Sequence, residues 1–375
     1  MKVITILGTR PEIIRLSLTI KLLDKHTNHI IVHTGQNFDY NLNEVFFKDL
    51  GLRKPDYFLD INTSSLGKIL GETLIKTEEI LIKEKPNAIL ILGDTNSSIA
   101  GIIAKRLQIP IYHIEAGNRS FDLNVPEEIN RKIIDHIADF NIVYTERSRQ
   151  HLISEGFSQR RIYKCGSPLN EIYNEFKTKI ESSKILKKHN LIHKEYFLIS
   201  FHRQENIENE KNLNLILNTL EKIAFFYEKK IIVSTHPRTL QKLGNLKNHN
   251  PHKLIFFENP FGFFDYLKLQ KNAICVISDS GTISEESSIM NFPAVTLRSS
   301  IERPEALDTG CIILTGLNPE NVLNAIKVTL ENRKTLDSYS IPDDYKITNT
   351  SIRILKLILG TSGLSNTWHG IEKIF

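Results

Sequence analysis

The chain begins with MKVITILGTRPE (residues 1–12), in which an apolar run leads directly into a glycine and an arginine. The run at residues 3–7 suits a parallel strand that is buried on both faces. Gly8 permits close approach of the backbone to a ligand, Arg10 can fork onto phosphate oxygens, and a helix N-terminus favours an anion. This stretch predicts a strand, a phosphate-contacting turn and a helix, with an ordinary βα turn as the alternative. It has neither the spacing of a P-loop nor the Gly-x-Gly-x-x-Gly pattern of NAD-binding turns.

Four further apolar runs end in polar loops of the same kind. The loops are residues 93–96 after the run 88–92, residues 115–119 after 109–114, residues 202–205 after 196–201, and residues 279–282 after 274–278. Ligands of open α/β sheets bind at the carboxyl ends of the strands, so we expect all five loops to form one large site. Their cations, peptide N–H groups and carboxylates predict an enzyme that acts on a nucleotide or a phosphorylated sugar.

The chain has 375 residues, which is more than one hydrophobic core usually organises, so the length fits two domains. Predicted strands alternate with amphipathic helices such as residues 65–85, and a second strand–helix series begins near Tyr196. Its predicted strands are residues 196–201, 230–234, 254–257, 274–278, 294–297 and 312–314. The fold class predicted is α/β, with two Rossmann-like, doubly wound parallel-sheet domains facing a central cleft.

The predicted domains are residues 1–170, which carry the candidate carboxylates, and residues 171–348. A C-terminal helix and tail, residues 349–375, are expected to pack back on the N-terminal domain. The linker is expected between residues 166 and 195, where the composition is rich in Lys, Glu and Asn.

Composition excludes several other classes of function. The net charge of +5 is spread over interleaved Lys, Glu and Asp, so we expect no nucleic-acid partner. The three cysteines are isolated in the sequence, which leaves no Cys-x-x-Cys pair for zinc or redox chemistry. No apolar stretch approaches the roughly 20 residues that span a bilayer, and the N-terminal segment is too short for a signal peptide. The expectation is a cytoplasmic protein without a membrane partner.

Three carboxylates are candidates for proton transfer. Asp94 and Glu115 each follow a β-branched run, where a carboxylate has little structural use. Glu127 lies four residues before Arg131 in PEEINR (residues 126–131), so the two share a helical face, where a surface ion pair is the alternative reading. Carboxylates that converge on one cleft can serve as general acids and bases with separated pKa values.

The second half offers groups for an anion. Ser280, Gly281 and Thr282 precede a predicted helix and suit a diphosphate, and Glu286 in its first turns suits a ribose diol; a simple helix N-cap is the alternative. His202 and His236 each end a strand. A metal site is the rival interpretation for them, but no His-Glu-x-x-His or His-x-His pattern supports it, so no metal is expected.

Taken together, the motifs resemble those of the non-hydrolysing UDP-N-acetylglucosamine 2-epimerase family. They occur in the family order over nearly the whole chain: GTRPE (8–12), GDT (93–95), EAG (115–117), PEEINR (126–131), HRQE (202–205), DSG (279–281) and ERPE (302–305). The resemblance implies the two-domain GT-B fold. It also implies elimination of UDP from C1 with the C2 proton, giving a 2-acetamidoglycal to which UDP re-adds, without a metal or any other cofactor.

The resemblance also implies roles for individual residues and a homodimer. Asp94, Glu115 and Glu127 would carry proton transfer, with Arg131 orienting Glu127. The residues implied to hold or polarise the UDP-sugar are Arg10, Arg15, His202, Tyr266 (near the uracil), Ser280, Gly281, Thr282, Glu286 (on the ribose) and Arg303.

Some positions depart from the best-known members of the family. Arg15 stands where they have Lys, Thr282 replaces a second Gly, and TGQNFD (34–39) differs from the pattern that helps form an activator site. Other stretches are similar to a capsule and O-antigen branch that converts UDP-N-acetyl-L-pneumosamine to UDP-N-acetyl-L-fucosamine. They are AGNRSFD (116–122), VPEEINRKI (125–133), PFGFFDY (260–266) and DSGT (279–282).

The L-fucosamine reaction is the first choice of function, and the UDP-GlcNAc to UDP-ManNAc reaction is the second. A glycosyltransferase of the GT-B fold, a non-catalytic nucleotide-sugar sensor and a hydrolysing epimerase are the alternatives. The sequence alone does not assign the base and the acid among the three carboxylates.

Overall fold

The computed structural model describes residues 1–35, 40–235, 237–244, 251–335 and 340–371. The chain divides into two compact units, Met1–Ile172 with Asp344–Phe375, and Tyr173–Asp343. The chain leaves the first unit at Ile172 and returns to it at Asp344, so the return lies before the predicted boundary at residue 349.

The first unit contains a sheet of parallel strands. Its strands are β1 Lys2–Leu7, β2 Asn28–His33, β3 Tyr57–Phe58, β4 Ala88–Leu92, β5 Ile111–Ile114, β6 Phe140–Val143 and β7 Ile162–Lys164. They lie in the order β3-β2-β1-β4-β5-β6-β7. The helices of this part of the chain are α1 Arg10–His26, α2 Tyr40–Leu50, α3 Leu66–Glu84, α4 Ala100–Arg106, α5 Pro126–Ile137, α6 Glu146–Ser154 and α7 Pro168–Ser182.

The central strands of this sheet are buried on both faces, which is why they are continuously apolar. Ile4, Ile6, Ile89 and Ile91 have no exposed surface and pack in one core cluster with residues of the surrounding helices. The long helix α3 begins where Ser65 Oγ accepts a hydrogen bond from the Lys68 amide at 3.3 Å.

The second unit, like the first, contains one sheet of parallel strands. Its strands are β8 Tyr196–Ser200, β9 Lys230–Ser234, β10 Ile255–Glu258, β11 Val276–Ser278, β12 Ala294–Thr296 and β13 Ile312–Leu314, all parallel and in the order β10-β9-β8-β11-β12-β13. Its helices are α8 Ile185–Lys188, α9 Gln204–Glu208, α10 Glu210–Tyr227, α11 Pro237–Gly244, α12 Phe263–Asn272, α13 Ile283–Met290, α14 Glu305–Asp308 and α15 Pro319–Thr335.

The C-terminal segment packs on the first unit through α16 Thr350–Thr361 and α17 Ser365–Trp368. Helix α16 packs against α1, and the Thr361 hydroxyl shares a 2.6 Å hydrogen bond with the Tyr112 hydroxyl on β5. Asn366 Nδ2 donates to the Gln108 carbonyl at 3.0 Å. Among the helices in the described part of the chain, none is both long and apolar enough to cross a membrane.

Every strand predicted from the sequence is present, with ends that differ by at most two residues. The two short edge strands β3 and β7 were not predicted, because two or three residues carry too little pattern to be recognised. The region between residues 166 and 195, expected to hold the linker, forms α7 and α8.

Strand order reverses between β1 and β4 in the first sheet and between β8 and β11 in the second. In open α/β sheets such switch points open a crevice at the carboxyl ends of the strands. The loops GTRPE, GDT, HRQE and DSG leave these four strands, so the fold brings the predicted polar loops together in pairs.

Candidate active site

The loops after β1 and β4 are joined by Glu12, a residue to which the sequence assigned no role. Its carboxylate is buried and accepts hydrogen bonds from the Gly8 amide at 3.0 Å and from Thr95 Oγ1 at 3.2 Å. Burial raises the pKa of Glu12 to about 7. The signal in the sequence was its position on the apolar face of α1, one residue before Ile13 and four before Leu16.

Gly8 is required by its surroundings. A Cβ atom there would lie 2.0 Å from Thr34 Oγ1 and 2.4 Å from Ser97 Oγ, so no larger residue fits this turn. Arg10 begins α1 and lies half-buried, with its guanidinium carbon 5.7 Å from the centre of the Phe46 ring. Burial lowers the pKa of Arg10.

Asp94 follows β4 and forms an ion pair with Arg131 on α5. Arg131 Nη1 also lies 3.0 Å from Glu128 Oε2, and all three side chains are mostly buried. The predicted pairing of Arg131 with Glu127 is therefore wrong. Glu127 is exposed, since successive helical residues are rotated by about 100° and the buried face of α5 carries Glu128 rather than Glu127.

Glu128 anchors the loop that leads from β5 to α5. Its Oε2 accepts from the amide and the hydroxyl of Ser120, both at 3.0 Å. Burial alone would raise the pKa of Glu128, but the Ser120 hydrogen bonds and the Arg131 charge bring it below its ordinary value. Its spacing of three from Arg131 and seven from Asp135, which are both buried, placed it on the inner face, which is the signal that could have found it.

Glu115 directly follows β5 and has a left-handed backbone, φ 69°, which is uncommon for a non-glycine residue and typical of functional sites. Its Oε2 lies 3.2 Å from Nη1 of Arg15, and both side chains are almost fully buried. The Arg15 guanidinium carbon is also 5.5 Å from the centre of the Tyr144 ring. The structure thus places Arg15, predicted as a substrate-binding residue, against a candidate catalytic carboxylate.

In the second unit, Asp279 joins the loops after β8 and β11. Its buried carboxylate accepts from the amides of His202 and Arg203 at 3.1 Å and from Asn206 Nδ2 at 2.9 Å. Nδ1 of His202 lies 3.1 Å from Asp279 Oδ1, while 56% of the His202 side chain is exposed. Burial alone would raise the pKa of Asp279, but the His202 charge and these hydrogen bonds lower it.

The residues after β11 form a chain of hydrogen bonds that ends on Glu286. Ser280 Oγ lies 3.0 Å from Thr282 Oγ1, which donates to Glu286 Oε1 at 2.9 Å. Gln270 Nε2 donates to the other carboxylate oxygen at 2.6 Å. Both oxygens of Glu286 are thus held, and Thr282, which departs from the family pattern, supplies one of the donors.

Tyr266 on α12 lies beside this chain, and its hydroxyl shares a 2.9 Å hydrogen bond with Ser200 Oγ at the end of β8. Burial raises the pKa of Tyr266.

Arg303 supports the turn at Gly281. Its Nη1 donates to the Gly281 carbonyl at 2.9 Å, and its Nε lies 3.3 Å from Glu285 Oε2. A Cβ atom on Gly281 would lie 2.7 Å from Glu302 Oε1 and 3.0 Å from Arg298 Nη1. Arg298, which the sequence did not single out, is buried and pairs with Glu302 at 2.5 Å; burial lowers its pKa although the Glu302 charge opposes this.

Among the residues whose placement is described, no group of three or more His, Cys, Asp or Glu side chains is arranged to hold a metal ion. Residues 36–39 of the predicted activator segment and His236 lie outside the described residues.

Two units of parallel strands, each with polar loops at its switch point, define an enzyme of the GT-B fold. A sequence profile of the family described as UDP-N-acetylglucosamine 2-epimerase matches residues 21–359. The chain belongs to this family and is an epimerase, an isomerase that acts at C2 of a UDP-sugar.

Several relatives are similar over nearly their whole length. The structure of UDP-N-acetylglucosamine 2-epimerase from Rickettsia bellii is 46% identical, with a TM-score of 0.90 over 98% of this chain and 99% of that one. The Methanocaldococcus jannaschii UDP-GlcNAc 2-epimerase in complex with UDP-GlcNAc and UDP is 35% identical, with a TM-score of 0.88 over 96% and 100%. The UDP-2,3-diacetamido-2,3-dideoxy-D-glucuronate 2-epimerase of Pseudomonas aeruginosa is 33% identical over 88% of this chain and 92% of that protein.

Proposed function

We propose that this enzyme inverts C2 of a UDP-N-acetylhexosamine by anti-elimination and re-addition of UDP. A base takes the C2 proton, the C–H electron pair becomes the C1–C2 double bond, and the C1–O pair leaves with the diphosphate. UDP then re-adds at C1 while C2 receives a proton on its opposite face. The route has no net redox change, so it needs acid–base groups at C2 and stabilisation of the leaving diphosphate.

The observation that carries this proposal is the pair of carboxylates at the ends of β4 and β5. These strands are neighbours in the sheet, about 4.8 Å apart. Asp94 is held by Arg131 and Glu115 by Arg15, so each carboxylate is oriented by its own guanidinium. Together with the exposed Glu127 on the first turn of α5, they supply the proton transfers. The function of Arg131 is then to orient Asp94.

The second unit supplies the binding of UDP in this proposal. Ser280, Gly281 and Arg303 hold the diphosphate, and Glu286, held by Thr282 and Gln270, takes the ribose. His202, whose side chain is exposed while Nδ1 faces Asp279, polarises the leaving group. By the family resemblance, Arg10 at the start of α1 and Tyr266 on α12 are also proposed to contact the UDP-sugar, Tyr266 at the uracil.

For the sugar, we infer UDP-N-acetyl-L-pneumosamine as substrate and UDP-N-acetyl-L-fucosamine as product. The loop between Glu115 and Glu127 carries two exposed apolar side chains, Phe121 at 73% and Leu123 at 71%. Phe121 also has a left-handed backbone, φ 55°, a conformation that functional loops use more often than others. An apolar contact suits the C6 methyl of a 6-deoxy sugar better than a hydroxymethyl group.

The aromatic run at residues 261–266 weighs less in this choice. Its Phe264 ring packs 5.4 Å from Phe176, and its Phe261 ring lies 5.6 Å from His189. These two rings are only partly exposed. The ring centre of Phe121 lies 5.3 Å from that of His151, but 73% of Phe121 is exposed, so the substrate proposal rests on the Phe121 loop.

The second candidate reaction is UDP-GlcNAc to UDP-ManNAc. It is favoured by the names of the relatives from Rickettsia bellii and Methanocaldococcus jannaschii. The Pseudomonas aeruginosa relative is named for a different sugar, so identity at this level does not decide the substrate.

The substrate is tested by incubating the enzyme separately with UDP-N-acetyl-L-fucosamine and with UDP-GlcNAc and following the anomeric proton signals by NMR. We expect a second epimer from the L-sugar, with a higher kcat/KM than for UDP-GlcNAc. If only UDP-GlcNAc is turned over, the substrate assignment is wrong, but the assignment of the reaction as a C2 epimerisation stands. A homodimer, a cytoplasmic location and a role in capsule or O-antigen synthesis belong to the same proposal; light scattering measures the oligomeric state.

A further inference from the structure

A buried polar cluster lies directly beneath the two carboxylate loops and has no role in the chemistry described above. It consists of three buried side chains, His113 on β5, Asp135 on α5 and Arg119, together with the partly exposed side chain of Glu155. The side chains of His113, Asp135 and Arg119 are at most 1% exposed. Burial of this many ionisable groups is costly unless each is paired, and here each is.

His113 connects Asp135 to the loop that carries Asp94. Its Nδ1 lies 2.9 Å from Asp135 Oδ1, and its Nε2 lies 2.9 Å from the carbonyl oxygen of Gly93. A carbonyl oxygen only accepts hydrogen bonds, so Nε2 carries the hydrogen in that contact. The Gly93 peptide precedes Asp94 directly, and Gly93 has a φ of 71°, a left-handed conformation that glycine adopts without strain, so the contact with His113 is what holds the orientation of this peptide.

Asp135 connects in turn to the loop that carries Glu115. Its Oδ2 accepts from the Gly117 amide at 3.2 Å and from Arg119 Nη1 at 2.7 Å. Arg119 is fixed from its other side by Glu155, with contacts of 2.7 and 2.6 Å. Burial alone would raise the pKa of Asp135, but the His113 contact and the Arg119 charge lower it, so the ionised carboxylate accepts from the Gly117 amide and from Arg119.

We propose that Asp135 is a positioning residue for the reaction: through His113 and the Gly117 amide it fixes the peptides that carry Asp94 and Glu115 relative to each other. The proposal rests on the proposed function, in which these two carboxylates act at the sugar. The Asp135 carboxylate thereby sets the separation of Asp94 and Glu115, which must both act at C2 of the sugar. A displacement of about 1 Å in such a constellation can cost about 100-fold in rate.

The test compares Asp135→Asn with a matched control, Asp139→Asn. Asp139 is also a buried carboxylate, but it accepts from Lys105 Nζ at 2.5 Å and from the Ile111 amide at 2.9 Å, at the beginning of β5 and away from the loops. We expect Asp135→Asn to lower kcat about 100-fold while KM and the dissociation constant of UDP stay unchanged. Asp139→Asn should lower the melting temperature with kcat unchanged.

A second variant tests the link through His113 to Gly93 separately from the link of Asp135 to the Gly117 amide. In His113→Asn the amide reaches the position of Nδ1 and keeps the contact with Asp135, but it no longer reaches the Gly93 carbonyl. We expect a fall in kcat of the same order as in Asp135→Asn. The double variant should be no more impaired than the worse of the two single variants, because both substitutions break the same connection between the loops of Asp94 and Glu115.

Wild-type kcat in Asp135→Asn, or an equal loss of kcat in Asp135→Asn and Asp139→Asn, would overturn the positioning role and leave the proposed function standing. If the wild-type enzyme itself shows no exchange at C2 with any UDP-N-acetylhexosamine, the proposed function fails and this inference fails with it.

Discussion

Glu12 spans the two loops at the switch point of the first sheet, and its burial has a consequence for stability. Burial raises its folded-state pKa from 4.5 to about 7, so the folded state holds the proton to higher pH than the unfolded chain does. The stability that protonated Glu12 contributes is present below the unfolded pKa and is lost as the pH rises towards about 7. The loss has a slope of at most about 1.4 kcal/mol per pH unit.

Substitution Glu12→Gln should remove this slope, because a glutamine mimics the protonated carboxyl: its oxygen accepts from Gly8 and its amide donates to Thr95. The free energy of unfolding, measured by denaturant titration between about pH 5 and 8, should favour the variant over wild type increasingly up to about pH 7 and by a constant amount above it. Glu127→Gln, at an exposed position, is the control and should show no such trend. A constant difference between Glu12→Gln and wild type across this range would contradict the account.

Substitutions of the neighbouring residues Glu127 and Glu128 are expected to affect different quantities, kcat for Glu127 and the free energy of unfolding for Glu128. Glu127→Gln should change stability by less than about 0.5 kcal/mol and lower kcat about 100-fold or more, because the side chain is exposed and proposed to transfer protons. Glu128→Gln should cost about 3 kcal/mol of unfolding free energy, because it weakens a buried ion pair and the anchor of Ser120. Denaturation curves and initial rates measure the two effects. The reverse assignment, with Glu127→Gln destabilising and fully active, would refute the proposed role of Glu127.

At the scale of elements, the loop between β5 and α5 is proposed to choose the sugar. Phe121→Ser should lower kcat/KM for the L-sugar about tenfold and leave UDP binding unchanged, because an apolar contact to the C6 methyl is lost. Phe225→Ser is the matched control, since Phe225 is 74% exposed but lies on α10 in the second unit. Steady-state kinetics with both UDP-sugars measure the effect. An equal response to the two substitutions would show that the loop does not contact the sugar.

The elements themselves were largely predictable from the sequence, because parallel strands buried on both faces are continuously apolar. This pattern located β4, β9 and β13 to the residue. It failed for β3 and β7, where two or three residues at a sheet edge carry no distinguishable pattern. The helix α3 was predictable because an apolar stripe and a capping serine coincide.

The site was predictable only in part, since a sequence pattern shows which residues follow a strand but not which side chains meet. Asp94 and Glu115 could be chosen because each follows a β-branched run and lies at the carboxyl end of a predicted parallel strand, where ligands bind. Their guanidinium partners could not be assigned from the sequence. The pairing of Arg131 with Glu127 was wrong because Arg131 is buried against Asp94 and Glu128, whereas Glu127 is exposed. Glu12, Asp135 and Arg298 act within the buried interior, where their contacts depend on tertiary packing.

At the scale of the whole molecule, the two units are proposed to divide the work between chemistry and binding. Asp94→Asn in the first unit should lower kcat about 100-fold with little change in the dissociation constant of UDP. Arg303→Lys in the second should raise that constant about tenfold, because lysine keeps the charge but loses the forked geometry. Calorimetric titration with UDP and initial rates separate the two. If Asp94→Asn weakened UDP binding and Arg303→Lys did not, the proposed division between chemistry in the first unit and binding in the second would be contradicted.

The central claim is that C2 loses its proton to the enzyme, and one measurement addresses it directly. The wild-type enzyme is incubated in D2O with UDP-N-acetyl-L-fucosamine and, separately, with UDP-GlcNAc, and C2 is followed by proton NMR and mass spectrometry. The account predicts one deuterium at C2 in both epimers of the substrate that is turned over. A new epimer that retains its C2 proton, or no exchange with either sugar in folded enzyme that binds UDP, would contradict it.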